Sequence, residues 1–439
     1  MGVVAAFWQP AARGGRCTEA CLAASESTIW ASDASCRQQL LRTLGAIMMR
    51  AAIAAGTSGL IVSILGLATA TAAQAEPGGA AAPAVTSHAA EASPACARWT
   101  EVPVPHIGTG GVALDDVTAL SARDAWAVGN DLNDGAIQTV ILHWNGSSWH
   151  RSPSPSPSST ENRLFGVAAT SAGNAWAVGY DLQGSKYQTL IVHWNGSSWR
   201  RVPSPNPAGT AHQNRLSDVT AVSSTSAWAV GDYRSGGGSH TLILHWNGSS
   251  WRQETGPDAT RTGLLSGVAA APGHLWASGS SSAAHRRPLI MDRENGSWGR
   301  TGLPGAGLLA AVSGASRANA WAVGYAVAGG SDRNVIWHWN GSSWHRVPSP
   351  RRGDFDNLDG VAATSAGNAW AVGSYFGNNT SHTFLLHWNG SSWRQLQSPN
   401  PAGGADLRAV AATSATNAWA VGTSAISGNV QHALILRCH

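Results

Sequence analysis

From Arg98 to the C-terminus the chain reads as short apolar runs broken by small and polar residues, and the breaks recur. The string Ala-Trp-Ala-Val-Gly, or a close variant, places Trp at 126, 176, 228, 276, 321, 370 and 419, at intervals of 45 to 52 residues. A second string, His-Trp-Asn-Gly-Ser-Ser-Trp, occupies 143–149, 193–199, 245–251, 338–344 and 387–393, with a worn copy at 293–298. Each copy holds four strand signals. Strand A reads Leu-x-x-Val-x-Ala, as from Leu164 to Ala169, and strand B is the Ala-Trp-Ala-Val-Gly string. Strand C is an apolar run such as Thr189 to Trp194. Strand D opens at the second Trp of the hairpin and stops at Ser-Pro, because proline cannot donate to a ladder. Asn-Gly between C and D is a strong hairpin signal. Four short antiparallel strands per repeat, seven times, predict an all-β, seven-bladed propeller of four-stranded blades. A β-solenoid would have shorter, parallel repeats.

The chain ends predict how the ring closes. Residues 98–105 match strand D of the other copies, with no A to C before them, and the last copy stops after strand C at Cys438-His439. The N-terminal strand is therefore expected to complete the last blade, hiding two sheet edges. Cys438 aligns with the hairpin's first Trp, and Cys96 lies three residues before Trp99. Both flank the place where the covalent hairpin is missing, which predicts a Cys96–Cys438 disulfide.

Composition narrows the class. The chain has 22 Trp against 5 Tyr and 5 Phe, and 12% charged residues. Coiled coils are far richer in charge, and so much large aromatic surface argues against disorder. A net charge of +4 makes nucleic acid and anionic membrane poor partners.

The first 95 residues carry another message. Met48-Met49-Arg50, an uncharged apolar stretch and Ala73-Gln74-Ala75 have the layout of a signal peptide over 48–75, cleaved before Glu76. The competing reading is a retained anchor, since about 20 apolar residues can span a bilayer. Residues 1–47 read as an N-terminal extension or a start assigned too early, and 76–95 as an Ala/Pro-rich linker. The expected mature protein is extracellular, where disulfides persist, and monomeric.

Strand B followed by His-Trp-Asn-Gly-Ser-Ser-Trp resembles the repeats of secreted bacterial kelch-like propellers. The turn is also similar to the Asp-box of sialidase-type propellers, with Asn145, Asn195 and Asn247 in place of the acid. The resemblance covers 96–439. It implies fold and little about ligand, since the box is structural in those families and fold does not settle function.

Comparing blades separates scaffold from free positions. The histidines 143, 193, 245, 338 and 387 fall one per blade and cannot converge on one ion, so a structural hydrogen bond is expected; no metal or cofactor is implied. The A–B links and C–D hairpins are nearly uniform, whereas the B–C loops and D–A links read as long and variable. One face is thus diversified, and binding usually lives on such loops. Tyr180, Tyr187, Tyr233, Tyr325, Tyr375 and Phe355 fall there with Asp181, Asp232 and Arg234, a set suited to stacking and hydrogen-bonding sugars. Asp134 and Arg351-Arg352 fall on the same face. Asp115, Asp116, Asp218, Asp359 and Arg408 are expected at the channel mouth. The reading is a non-catalytic module that binds a glycan or a cell-surface partner. A protein-interaction scaffold is the alternative, and an enzyme acting on polysaccharide ranks third.

Overall fold

The computed structural model describes residues 96, 98–108, 110–133, 135–257, 262–281, 286–328, 330–353, 355–426 and 430–439. The expected extension (1–47), signal (48–75) and linker (76–95) lie outside the described residues, as does Asp134. Seven four-stranded antiparallel sheets follow one another along the chain. Blade 1 runs Val112–Ser121 (A), Asp124–Asn133 (B), Ala136–Trp144 (C) and Trp149–Arg151 (D). Blades 2 to 6 repeat this order from Asn162 to Arg201, Asn214 to Gln253, Gly263 to Gly302, Gly307 to Val347 and Phe355 to Gln395. Blade 7 takes A to C from Ala405 to Cys438 and D from Trp99–Glu101, which pairs antiparallel with the final strand. Trp99 faces Cys438 across that ladder as Trp149 faces Trp144 in blade 1. Cys96 and Cys438 are disulfide-bonded, with Cα atoms 5.5 Å apart. Strands A of neighbouring blades pack on one another around the ring, so A is innermost and D outermost.

The tryptophans hold the seams. Each strand-B Trp is buried and reaches into the following blade. Trp126 lies 5.1 and 5.2 Å from Trp194 and Trp199, and Trp176 lies 4.9 and 5.1 Å from Trp246 and Trp251. At the closure Trp419 meets Trp144 and Trp149, at 4.9 and 5.2 Å. The edge-to-face geometry suits the ring quadrupoles. A histidine lies against six of the seven strand-B Trp rings, and Arg437 takes that place on Trp419: His143 stacks on Trp126 at 4.0 Å and donates to Asp124 Oδ1, 2.9 Å away. His193 and His387 do the same with Asn174 and Asn368. The structural hydrogen bond expected of these residues is what they make.

Two features differ from expectation. Where the B–C connections are fully described, in blades 2, 3 and 6, they are two-residue turns and not long loops. Strands B and C each run on past the conserved glycine and join through tight turns, Gly184-Ser185 in blade 2 and Asn378-Asn379 in blade 6. Asn378 and Asn379 both take left-handed φ, 50° and 61°, as a two-residue hairpin turn of the mirrored type requires. In the five Asn-Gly-Ser-Ser hairpins only the glycine is left-handed, as Gly146 is at φ 97°, whereas the shorter turn of blade 4 has both Asn295 and Gly296 left-handed. Asn145 acts through its side chain, whose Oδ1 accepts the N–H groups of Ser147 and Ser148 at 3.0 and 3.1 Å.

Candidate functional site

Every strand A carries a β-bulge just after its buried leucine, between Leu114 and Asp116 in blade 1 and at the matching place in the other six. A bulge leaves one residue outside the ladder and re-aims its side chain. The extra residues are Asp115, Phe165, Ser217, Ser266, Ala310, Asp359 and Arg408, all half-buried. They are the residues expected at the channel mouth, and each is left outside the pairing that constrains its neighbours, which lets it vary from blade to blade.

Across blades 7, 1, 2 and 3 these residues join a connected set. Arg408 Nη1 donates to Asp115 Oδ1 at 2.5 Å, bridging the seam between the last blade and the first, and its Nε donates to Asp406 at 3.2 Å. Asp115 is also within electrostatic range of Arg163 in blade 2. Arg163 Nε donates to Glu161 Oε1 at 2.8 Å, and the Tyr180 hydroxyl donates to the same oxygen at 2.7 Å. In blade 3, Arg215 Nε donates to Asp232 Oδ1 at 2.5 Å. Phe165, Tyr180 and Tyr187 form a row of rings with centroids 5.6 and 4.2 Å apart. Burial and the bond to Glu161 hold the Tyr180 phenol well above its ordinary pKa, so it stays a donor.

Sequence reasoning missed Arg163 and Arg215. Each precedes the strand-A leucine and faces across the ladder the residue after the strand-B glycine, Tyr180 or Asp232. The signal was available in that cross-strand pairing, which becomes visible only once strands A and B are known to extend beyond the conserved core.

The other sequence candidates are scattered. Tyr325 is buried. Asp181 is fully buried against Arg201 at 3.2 Å. Tyr233 and Tyr375 are half-buried, stacked on His240 and His382 at 5.4 and 5.0 Å. Phe355 pairs with Phe376 across blade 6, and Arg234 is exposed. Asp359 accepts from Asn357 Nδ2 at 2.5 Å.

Asp116 and Asp218 sit one step further along strand A than the bulge residues, and they bridge seams. Asp116 accepts the N–H groups of Val117 and, in the next blade, Val167, at 2.8 and 2.7 Å. Asp218 does the same for Val219 and Val268, at 2.7 and 2.8 Å. The residue just before each bridged valine is a glycine, Gly166 or Gly267. At Gly166 a Cβ would stand 2.7 Å from the Asp218 Cα. Burial raises both carboxyl pKa values, that of Asp218 to about 7, and Asp218 raises Asp116 further.

The fold defines a seven-bladed β-propeller whose four-stranded blades share one scaffold. No family model matches the chain, and neither does any curated protein. Solved structures share the fold at low identity. YCF48 from Cyanidioschyzon merolae is 16% identical, with a TM-score of 0.50, over 78% of this chain and 98% of that one. A YCF48 bound to a D1 peptide is 14% identical, with a TM-score of 0.48, over 77% and 96%. An ulvan lyase of polysaccharide lyase family PL25, bound to -[GlcA(1-4)Rha3S]-, is 11% identical, with a TM-score of 0.52, over 76% and 95%.

Proposed function

We propose that the protein is a secreted, kelch-like, non-catalytic binding module that recognises a glycan at the channel mouth of its diversified face. The observation that carries this reading is the ring row Phe165–Tyr180–Tyr187 set beside the Arg163–Glu161 and Arg215–Asp232 pairs. A sugar offers one apolar face to a ring and a rim of hydroxyls, each a donor and an acceptor. Planar guanidinium and carboxylate groups held by one another answer that rim without having to be ordered on binding, which lowers the entropic cost. Charge compensation within the pairs favours uncharged sugar units at this mouth. The proposal stays non-catalytic because the two carboxyl groups with pKa values lifted towards neutrality, Asp116 and Asp218, already accept backbone N–H groups at both oxygens. The structural neighbours include a lyase bound to a polysaccharide, which is compatible with a sugar ligand on a ring of this kind.

A glycan array probed with the exported protein is the direct test. Binding to at least one glycan is expected, weakened tenfold or more by Tyr187→Ala with an unchanged melting temperature. Silence across glycans and cell-wall fractions would reject the proposal and leave the protein-interaction reading.

A further inference from the structure

The repeats provide internal comparisons, and blade 5 departs from them twice at one corner. In blades 1 and 2 the third residue of strand D is an arginine neutralised by a buried strand-B aspartate. Arg151 Nη2 lies 3.4 Å from Asp131 Oδ2, and Arg201 Nη2 lies 3.2 Å from Asp181 Oδ1. Both aspartates stand two residues after the strand-B glycine. Blade 5 keeps the arginine as Arg346, but the residue two after Gly324 is Ala326. The cation remains without its counter-ion, and among the described residues no carboxylate pairs with it.

The second departure is in the link that follows. In blades 2 and 6 this link reads Ser-Pro-Asn. The Oδ1 atoms of Asn206 and Asn400 accept the N–H of the strand-C threonine, Thr189 or Thr383, at 2.8 and 2.7 Å. In blade 5 it reads Ser349-Pro350-Arg351, and the threonine is Asn334. Asp356 now accepts the Asn334 N–H at 2.9 Å, and its other oxygen accepts the Arg352 N–H at 2.9 Å. Asn334 Nδ2 donates to the Pro350 carbonyl at 2.9 Å, and its Oδ1 accepts the Ser349 hydroxyl. The corner is closed without residue 351, and the Arg351 side chain is exposed.

Arg346 and Arg351 line one groove of about 450 Å³, with Asn334 and Ser349 on its wall. The same corner of blade 6 is a groove of about 330 Å³, lined by Tyr375, Gln395 and Asn400. Arg352 enters this second groove, donating through Nε to Gln395 Oε1 at 2.6 Å. Consecutive arginines on one link thus serve neighbouring grooves.

We infer that these two grooves bind an acidic glycan, with a carboxylate or sulfate substituent held between Arg346 and Arg351 and a sugar ring against Tyr375. Guanidinium forks match planar or tetrahedral oxyanions bidentately. Two grooves sharing one link suit a chain better than a single small ion. The site shares no residue with the channel mouth. Only the sugar part of the inference rests on the glycan reading above; the anion part stands without it.

Calorimetry of the full chain with oligogalacturonate, dextran sulfate and neutral dextran tests this. Carboxylate and sulfate sources are separated by the first two ligands. Binding of at least one acidic chain is expected, weakening as salt screens it. The double variant Arg346→Gln/Arg351→Gln should lose at least tenfold in affinity. Ala326→Asp, which returns the counter-ion found in blades 1 and 2, should lose a similar factor while folding as the parent does. Arg200→Gln/Arg252→Gln removes equal charge from exposed strand-D positions elsewhere and should leave affinity within twofold. An equal loss in that control overturns the inference, because general charge attraction would then explain the binding. Neutral dextran binding as tightly as the acidic chains overturns the anion assignment but leaves the channel-mouth proposal standing. Inorganic polyphosphate binding tenfold tighter than either acidic glycan overturns the choice of ligand class. Tyr187→Ala should leave acidic-chain affinity unchanged, so the two sites fail separately.

Discussion

A titratable residue in this ring serves packing first, and its proton equilibrium follows. Burial against a strand-B Trp lowers the pKa of His193, His245 and His338, and that of His387 to about 4. In the unfolded chain these rings titrate near 6.5. Below that value the unfolded state binds more protons than the folded one, so the histidines contribute stability that is present above about 6.5 and lost on acidification. Asp116 and Asp218 act in the opposite sense. Their raised pKa values mean that the folded state binds more protons than the unfolded chain above about 4, for Asp218 up to about 7, so their contribution is present at low pH and lost as pH rises. The wild-type melting temperature should therefore fall only moderately from pH 7 to pH 5. Asp218→Asn should fall more steeply over that interval, relative to its own value at pH 7. Identical slopes in calorimetric scans would contradict the assignment. Residue identity was legible in the sequence only where blades agree. The five strand-C histidines were read correctly because one residue repeated around a ring must answer a local demand. Tyr325 and Asp181 were read as surface candidates, yet they are buried; the alternation that turns one side chain into the seam and the next towards solvent depends on how far strand B runs.

At the scale of the strand, that extent was the main thing the sequence concealed. Reading strand B as ending at its glycine turned Tyr180, Tyr233 and Tyr375 into loop residues. They lie within ladders that continue to the turn, with Tyr180 opposite Thr189 and Tyr375 opposite His382. The turn chemistry at Gly184-Ser185 and Asn378-Asn379 was present, but no hydrophobic run flanks it, so nothing in the pattern marked it as a hairpin. Strands A show the complementary constraint. Their bulges bring neighbouring blades so close that some positions admit no side chain. A Cβ on Gly360 would stand 2.8 Å from the Ala409 Cα in the next blade. Overpacking of this kind costs about 1–3 kcal/mol. Gly360→Ala is expected to lower stability by that amount in urea unfolding. Gly367→Ala, at a turn where nothing lies within 4 Å, should change it by less than about 0.5 kcal/mol. Equal effects at the two sites would show that the blade seam is not the constraint.

A propeller has no covalent hoop, and its ring is held shut by the blade that both chain ends build together. Here the overlap is three residues long, Trp99–Glu101, the same length as the strand D it replaces. In other blades the Asn-Gly hairpin ties strand D to strand C. In blade 7 the disulfide between Cys96 and Cys438 takes that place, across a sequence separation of 342 residues. This closure was readable from sequence because the missing hairpin and the two cysteines point to one location, whereas a blade in mid-chain offers no such mark. Trp99 then does for blade 6 what the other hairpin tryptophans do, meeting Trp370 edge-on at 5.4 Å. Loop-entropy arguments put the clamp at about 5 kcal/mol as an upper figure. The double variant Cys96→Ser/Cys438→Ser should lower the melting temperature, and its added hydrogen exchange should be concentrated in Trp99–Glu101 and Val430–Cys438. That pattern follows because losing the clamp first frees a three-residue edge strand, while the other six blades keep their own hairpins. Exchange rising evenly around all seven blades would mean that the ring opens as one cooperative unit and that the disulfide guards the whole molecule rather than its single seam.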